Sequence, residues 1–307
     1  MNEATLPVGR PFNRKVFLTW SAILLPASFA VVPFAISLQR EFPPPDLGSL
    51  TIESATLISS AANALLAIGL AALGLYLACR IGTGMPLVEE WAEGRSRGRK
   101  ATRIASMGIM AGVVASLALI LLDVFVFSQP LTGILHPPGV DLSGFRPPFW
   151  QGCLAAITAG VVEETLFRLF GLTFFAWLGS FLFKGMDGRP ALTVLWIANV
   201  LAALAFGVSH LGNLAIFGLE PTPEVLVRML TLNGVIGMIY GWLYWTYGLI
   251  SAVIAHLITD VVIIAIGFLA SGSGSEMGAL KVFALGFVVI SSLALLLWWA
   301  GARTEGR

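Results

Sequence analysis

Seven charged or imidazole side chains lie inside long apolar stretches of this 307-residue sequence: Asp123, Glu163, Glu164, Arg168, His210, His256 and Asp260. An ionisable group at the centre of a bilayer costs roughly 2.5–3.5 kcal/mol on insertion scales, so each one needs a partner or a function. Asp123 lies near the end of its stretch, and we interpret it as an interfacial carboxylate. The third histidine, His136, lies in a proline-flanked loop and is interpreted as a solvated surface residue.

Helix geometry distinguishes the two adjacent glutamates. Glu164 and Arg168 are four residues apart, share a helix face and are predicted to form a structural ion pair. Glu163 lies about 100° away around the helix and has no evident local counterion. A buried, unpaired carboxylate is a candidate general base, so Glu163 is the acid to which we assign chemistry.

His256 and Asp260 are also four residues apart on one helix face. This pair could orient one imidazole nitrogen through the carboxylate, or supply two ligands to one ion. Taken singly, a membrane histidine more often forms an interhelical hydrogen bond. Polar clusters in three separate apolar stretches are nevertheless hard to explain as three unrelated contacts that each only join two helices.

The composition identifies the surroundings of these residues as lipid. The chain is 57% hydrophobic and 11% charged, whereas soluble chains average about 45–50% and about 25%. The net charge of +1 and the scattered basic residues exclude a nucleic-acid partner. Cys79 and Cys153 both lie in apolar stretches and support neither a disulfide framework nor a zinc knuckle.

Apolar runs long enough to cross about 30 Å of hydrocarbon predict an all-α, polytopic integral membrane helix bundle with about eight transmembrane helices. The predicted spans are 16–38, 56–79, 104–127, 149–183, 191–212, 224–246, 249–270 and 280–300. The fourth is too long for one straight helix, and Gly160 and Gly171 predict that it bends or breaks. The first resembles a secretory leader, but its apolar residues continue to Leu38, which favours a retained helix.

The basic residues predict that both termini are cytoplasmic. This orientation places thirteen of the eighteen Lys and Arg residues on the inner side. The loop 82–103 holds several of them and is interpreted as a solvated connector that enforces the topology, with docking to anionic lipid as the alternative.

Three motifs occur in order on successive apolar stretches. Residues 163–168 read EETLFR and fit EExxxR, residues 206–210 read FGVSH and fit FxxxH, and residues 256–260 read HLITD and fit HxxxN/D. The sequence therefore resembles the CPBP family, the type II CAAX prenyl proteases and their bacterial relatives in bacteriocin processing and immunity, also called the ABI family. The resemblance covers about residues 149–270, which we treat as the catalytic core. Residues 1–148 are N-terminal transmembrane helices and loops, and residues 271–307 are the last helix and a cytoplasmic tail.

The resemblance implies roles for four residues. Glu163 with His210 would activate a water that attacks the scissile carbonyl, and His256 with residue 260 would stabilise the oxyanion. Asp260 stands where the better-understood members have Asn, and an ionised carboxylate cannot donate a hydrogen bond to an oxyanion. Asp260 is therefore either protonated, an orienting partner of His256, or a metal ligand.

No cofactor is required by the sequence, but the resemblance leaves zinc open. Glu163, His210 and His256 supply a two-histidine, one-carboxylate set of the type that catalytic zinc uses. No HExxH helix accompanies it, and we favour metal-free chemistry. In either case Glu163, His210 and His256 are predicted to converge on one intramembrane site.

The leading hypothesis is an intramembrane endopeptidase, similar to type II CAAX prenyl proteases, in a prokaryotic plasma membrane. Its partners would be the bilayer and a membrane-associated protein or peptide substrate, whose identity and prenylation the sequence does not give. If the enzyme used zinc, it would be a metalloprotease. The alternatives are a non-catalytic scaffold or bacteriocin-immunity-type protein and, less favoured, a proton-coupled transporter, because no pair of matching interrupted helices occurs in the two halves.

Overall fold

The protein is described here from a computed structural model, which covers residues 6–44, 46–95, 98–127, 145, 147–185, 187–216 and 220–273. The predicted eighth span, 280–300, and His136 lie outside these residues. Within them the chain is helical apart from turns and one isolated bridge between Lys184 and Pro190. The predicted all-α fold is therefore confirmed.

The N-terminal part consists of five helices. They are α1 (Arg14–Ala30), α2 (Val32–Glu41), α3 (Ile52–Ile81), α4 (Pro86–Ala92) and α5 (Gly98–Leu121). The Asn13 side chain caps α1, and Thr51 and Ser54 form a capping box at the start of α3. Helix α5 continues directly into a π-helical turn, π1 (Leu122–Val126), which contains Asp123.

The fourth predicted span is one long helix whose winding changes twice. Its parts are α6 (Phe149–Thr158), π2 (Ala159–Glu163), π3 (Thr165–Leu172) and α7 (Thr173–Gly179), and we call the whole, residues 149–179, the site helix. Gly160 lies in π2 and Gly171 lies in π3. The interruption predicted at these glycines is therefore wide helical turns rather than a break in the chain.

The C-terminal part contains α8 (Leu192–Ser209), the short α9 (Gly212–Ile216), α10 (Pro223–Tyr247) and α11 (Leu249–Ser273). Gly248 alone separates α10 from α11 and has a φ of +92°. A Cβ at Gly248 would lie 2.6 Å from Cδ of Pro86, so glycine is needed for both the turn and its packing. This turn folds α10 and α11 into an antiparallel pair.

Six helices among the described residues are long and apolar enough to cross a membrane. They are Arg14–Glu41, Ile52–Ile81, Gly98–Val126, Leu192–Leu214, Pro223–Tyr247 and Leu249–Phe268. The site helix, which its π turns divide into shorter segments, passes through the same bundle. The arrangement agrees with the predicted fold of about eight transmembrane helices.

Small residues allow α5 and α11 to pack closely. A Cβ at Gly108 would lie 2.8 Å from the carbonyl oxygen of Ser251, and one at Gly112 would lie 2.6 Å from that of Ala255. Thr259 donates a hydrogen bond to the carbonyl of Gly112 at 3.2 Å. Because lipid supplies no hydrophobic drive between helices, such close backbone approach is what fixes α11 in place.

Two ion pairs mark the two ends of the bundle. At one end, which we call the Arg10 end, Arg10 donates to the carbonyl of Thr83 at 2.7 Å and to Glu89 at 2.9 Å. At the other, the Asp123 end, Arg228 donates to both carboxylate oxygens of Asp123, at 2.6 and 2.7 Å. Asp123 was predicted to be an interfacial carboxylate, whereas the structure buries it in a bidentate pair that joins π1 to α10.

Candidate active site

The candidate residues come from three helices. The site helix contributes Glu163, Glu164 and Arg168, α11 contributes His256 and Asp260, and His210 caps the C-terminal end of α8. Five of these six residues form one cluster, to which α10 adds Gly237 and Tyr240. His210 lies apart from it.

Glu164 is the centre of the cluster. Its Oε1 accepts a hydrogen bond from Nη1 of Arg168 at 2.9 Å and another from Nδ1 of His256 at 2.8 Å. The side chains of Glu164 and Arg168 are 0% and 1% exposed. Arg168 also donates through Nη2 to the carbonyl of Gly237 at 3.2 Å. A single carboxylate oxygen thus connects the site helix to α11, and its arginine partner connects the site helix to α10.

The other imidazole nitrogen, Nε2 of His256, lies between two further carboxylates. It is 3.6 Å from Oδ2 of Asp260 and 4.0 Å from Oε2 of Glu163. These distances are longer than a direct hydrogen bond, and Oε2 of Glu163 has no hydrogen-bond partner among the described residues. Because Glu164 accepts a hydrogen bond from Nδ1, Nε2 is the imidazole nitrogen that faces Glu163 and Asp260.

Exposure divides the cluster into a closed part and an open part. Glu163 and Asp260 are 32% and 28% exposed, whereas the side chain of His256 is 4% exposed. The ion pair behind the imidazole is closed to solvent. The more exposed side of the imidazole therefore carries Glu163 and Asp260, and Oε2 of Glu163, the oxygen nearest to Nε2, is itself buried.

Aromatic rings enclose Arg168 and His256. The guanidinium carbon of Arg168 lies 4.6 Å from the centre of the Phe206 ring and 5.2 Å from that of Tyr240. The same two rings contact His256, Phe206 by its edge at 5.8 Å and Tyr240 by stacking at 4.9 Å. Cation–π contacts of this kind stabilise a buried guanidinium where no water can solvate it.

His210 is not joined directly to the cluster. Its Nδ1 donates to the carbonyl of Phe206 at 2.8 Å, and its ring lies 4.7 Å from the Phe206 ring. No hydrogen bond joins His210 to Glu163 or His256, all three being described residues. The predicted convergence is therefore present for Glu163 and His256, while Phe206 connects His210 to His256 through ring contacts.

The metal set proposed from the sequence is not assembled in this geometry. Among the described residues, no group of three or more His, Cys, Asp and Glu side chains is arranged to hold a metal ion. Glu163, His210 and His256 are all within that search. We therefore assign no set of zinc ligands among these three residues.

Two parts of the site were not predicted from the sequence. The pairing of Glu164 with His256 spans 92 residues and leaves no local signal. Tyr240 was not singled out, although it and His256 lie eight residues on either side of Gly248, a spacing that could have indicated that they share one depth.

The N-terminal helices also support the site. Nε1 of Trp20 donates to Oγ1 of Thr165 at 3.0 Å, and Thr158 donates to the carbonyl of Ala27 at 2.6 Å. Both contacts join α1 to the site helix, one on each side of Glu163. Helix α1, which lies in a part of the chain that carried no functional signal in the sequence, thus holds the site helix from outside.

Comparison with known proteins gives one match. Residues 145–262 match the sequence model of the family described as Type II CAAX prenyl endopeptidase Rce1-like. No curated protein and no solved structure matches the chain. The matched residues contain all three motifs and the complete cluster around His256. Together with the apolar helices, this match identifies an integral membrane protein, and the resemblance is confirmed: over residues 145–262 the chain carries an Rce1-like region of the type II CAAX prenyl endopeptidases.

Proposed function

We propose that the protein is an intramembrane endopeptidase that hydrolyses a peptide bond of a membrane-associated substrate. The observation that carries this proposal is the arrangement around His256. Its Nδ1 is tied to the buried Glu164 at 2.8 Å, while Nε2 lies between the accessible Glu163 and Asp260. A histidine that only joined two helices would need its hydrogen bond to Glu164, but it would not need two further carboxylates near Nε2.

Glu163 is the proposed general base. A water within about 2.8 Å of both Oε2 of Glu163 and Nε2 of His256 fits their 4.0 Å separation. Glu163 takes a proton from this water, and the hydroxide oxygen forms a bond to the substrate carbonyl carbon. The carbonyl π electrons move to oxygen, which becomes the oxyanion of a tetrahedral intermediate.

His256 is the proposed donor to that oxyanion. When Nε2 carries a proton, it can donate to the oxyanion, and Glu164 continues to accept from Nδ1. Glu163 then returns its proton to the leaving nitrogen, the oxyanion re-forms the C=O bond, and the C–N bond breaks to give a carboxylic acid and an amine. The acid proton passes to the amine, so the released products are a carboxylate and an ammonium group. Asp260, as an acceptor, steadies the imidazole from the Nε2 side rather than binding the oxyanion.

His210 has a less direct part in this proposal. Its Nδ1 is used in the hydrogen bond to Phe206, so Nε2 is the nitrogen that remains for substrate or for a bridging water. In the present geometry it can assist Glu163 only through such a bridge. The proposed mechanism uses no metal ion.

The proposed setting follows from charge and topology. Arg10, Arg14, Lys15, Arg80 and Arg189 all lie at or next to the Arg10 end of the bundle. The bias of basic residues towards the cytoplasmic side supports a cytoplasmic location for this end, in a prokaryotic plasma membrane. We therefore propose that substrates are membrane-associated proteins or peptides, prenylated or not.

The test compares membrane fractions from cells that express the wild type, Glu163→Gln or Glu53→Gln. Glu53 is a matched control because it is an exposed glutamate in an ion pair with Arg40, away from the site. We expect uncleaved peptides to accumulate only with Glu163→Gln. Identical peptide sets in all three samples, with Glu163→Gln folded, would favour the non-catalytic scaffold.

Purified protein tests the metal question. We expect the wild type to keep its activity after treatment with a chelator and removal of the chelated metal. Complete loss of activity, followed by recovery with one zinc ion per chain, would contradict the metal-free mechanism.

A further inference from the structure

Tyr240 occupies the position opposite His256 in the hairpin of α10 and α11. Each residue is eight positions from Gly248, so both lie about 12 Å from the turn at 1.5 Å per residue. Tyr240 is fully buried, and its ring is stacked on the imidazole with 24° between the planes and 4.9 Å between the centroids. The hairpin therefore presents an aromatic face to the histidine on which the proposed chemistry depends.

Glu164 alone does not fix the imidazole. One hydrogen bond at Nδ1 sets the distance between the two groups but allows the ring to tilt about that contact. A stacked face resists this tilt, because any tilt loses contact between the two rings. The Phe206 edge contacts the same imidazole at 88° to its plane. Tyr240 and Phe206 thus complete the restraint that Glu164 begins, and Nε2 keeps its direction towards Glu163 and Asp260.

The ring of Tyr240, rather than its hydroxyl, makes this contact. The hydroxyl is buried and has no hydrogen-bond partner among the described residues. With no accessible area, the hydroxyl cannot reach a substrate, so a phenylalanine ring would serve the same purpose.

We propose that Tyr240 is a positioning residue of the candidate active site, whose aromatic ring holds the His256 imidazole in the plane that directs Nε2 at the reacting water. This inference rests on the proposed function. It adds a residue from α10, outside the three motifs, to the residues that determine the rate. A positioning role predicts a loss in kcat with little change in KM, since Tyr240 does not contact the substrate.

Tyr244 provides a matched control one helical turn away. It is also a fully buried tyrosine of α10, and its hydroxyl lies 2.7 Å from Oγ1 of Thr173. It has no ring contact with His256 or Arg168. Substituting Tyr244 therefore perturbs α10 packing to a similar degree without removing the stacked face.

The kinetic experiment uses the full chain in lipid vesicles and a fluorogenic peptide that ends in a farnesylated CAAX sequence. We compare Tyr240→Phe, Tyr240→Met, Tyr244→Phe and Tyr244→Met. Methionine fills the space of the ring without an aromatic face. We expect kcat of Tyr240→Met to fall about 10- to 100-fold, with the other three variants within about threefold of wild type and KM unchanged.

A second readout needs no substrate. The sequence contains three histidines, so histidine-selective isotope labelling gives three imidazole signals, and His256→Gln assigns one of them. We expect the ring protons of His256 to show an upfield ring-current shift in the wild type and in Tyr240→Phe. This shift should disappear in Tyr240→Met and persist in both Tyr244 variants.

The outcomes separate the positioning role from the proposed function. A wild-type chain that cleaves neither the farnesylated peptide nor any peptide found to accumulate with Glu163→Gln overturns the proposed function. A wild type that cleaves, with Tyr240→Met equal to it in kcat, overturns only the role of Tyr240, as does an equal loss in Tyr240→Phe or Tyr244→Met. If Tyr240→Met does not fold, the wild-type spectrum decides, because absence of the ring-current shift on His256 overturns the stacking.

Discussion

Replacing Glu164 by alanine tests the view that the two adjacent glutamates have different purposes. Oε1 of Glu164 accepts from Arg168 at 2.9 Å and from His256 at 2.8 Å, in a place closed to solvent. The substitution leaves a buried guanidinium without its counterion. Breaking a buried ion pair from one side costs about 3–5 kcal/mol. At about 1.4 kcal/mol per factor of ten, the unfolding equilibrium shifts by roughly two to three and a half orders of magnitude.

Glu163→Ala is the internal comparison for this prediction. Glu163 is the same residue type one position earlier, but it is 32% exposed and its Oε2 accepts no hydrogen bond. Its loss therefore removes no buried partner, and we expect a change in the free energy of unfolding below about 1 kcal/mol. Glu163→Ala should nevertheless lose its activity, because Glu163 alone would take the water proton.

The assay is reversible unfolding of the detergent-solubilised protein in a denaturing surfactant, followed by circular dichroism. A Glu164→Leu, Arg168→Met double variant should be more stable than Glu164→Ala, since it leaves no unpaired charge behind. Equal losses of stability in Glu163→Ala and Glu164→Ala would refute the reasoning. So would a double variant whose loss is the full sum of the two single losses.

Two further predictions concern the ends of the bundle. Asp123→Asn should lower the free energy of unfolding by about 3 kcal/mol, since it removes a carboxylate charge that is paired with the buried Arg228. Thermal unfolding measures the loss, with Asp187→Asn, which breaks the more exposed ion pair with Arg189, as the control. Equal melting temperatures of the two variants would contradict the prediction. Burial raises the pKa of Glu89 above its ordinary value of 4.5 despite the attraction of Arg10. The folded state therefore holds this proton more tightly than the unfolded state does. The stability contributed by Glu89 should fall as pH rises from about 4.5 through the raised pKa. Glu89→Gln should flatten this dependence in a pH series of melting curves, and an unchanged slope would rule out Glu89 as its source.

The sequence was sufficient for the parts of the site that depend on local spacing. Apolar runs predicted the helices, and the four-residue intervals placed Glu164 beside Arg168 and His256 beside Asp260. Residues close in sequence on one helix must be neighbours in space, whatever the tertiary structure. These contacts therefore needed no knowledge of the bundle.

Contacts between helices were not predictable in the same way. Glu164 bonds to His256 across 92 residues, and Asp123 bonds to Arg228 across 105. In both cases the sequence assigned the acid to a local or interfacial role, because periodicity indicates which face a residue shares but not which helix lies opposite. For His210 the motifs predicted convergence on the same site, and the contact through which it approaches His256, the ring of Phe206, could not be read from spacing.

The π turns of the site helix determine how insertions and deletions there would affect the site. A π turn arises when an α-helix accommodates one additional residue without a change in its ends. Removing one residue from π2 would let the hydrogen bonds revert to the regular pattern without turning either end of the helix, so the change in direction would fall on the residues inside the turn, Glu163 among them. Trp20 and Ala27 hold the helix on both sides of that point. Among insertions and deletions, those in residues 159–172 should thus be the ones that separate Glu163 from His256 while sparing the transmembrane architecture.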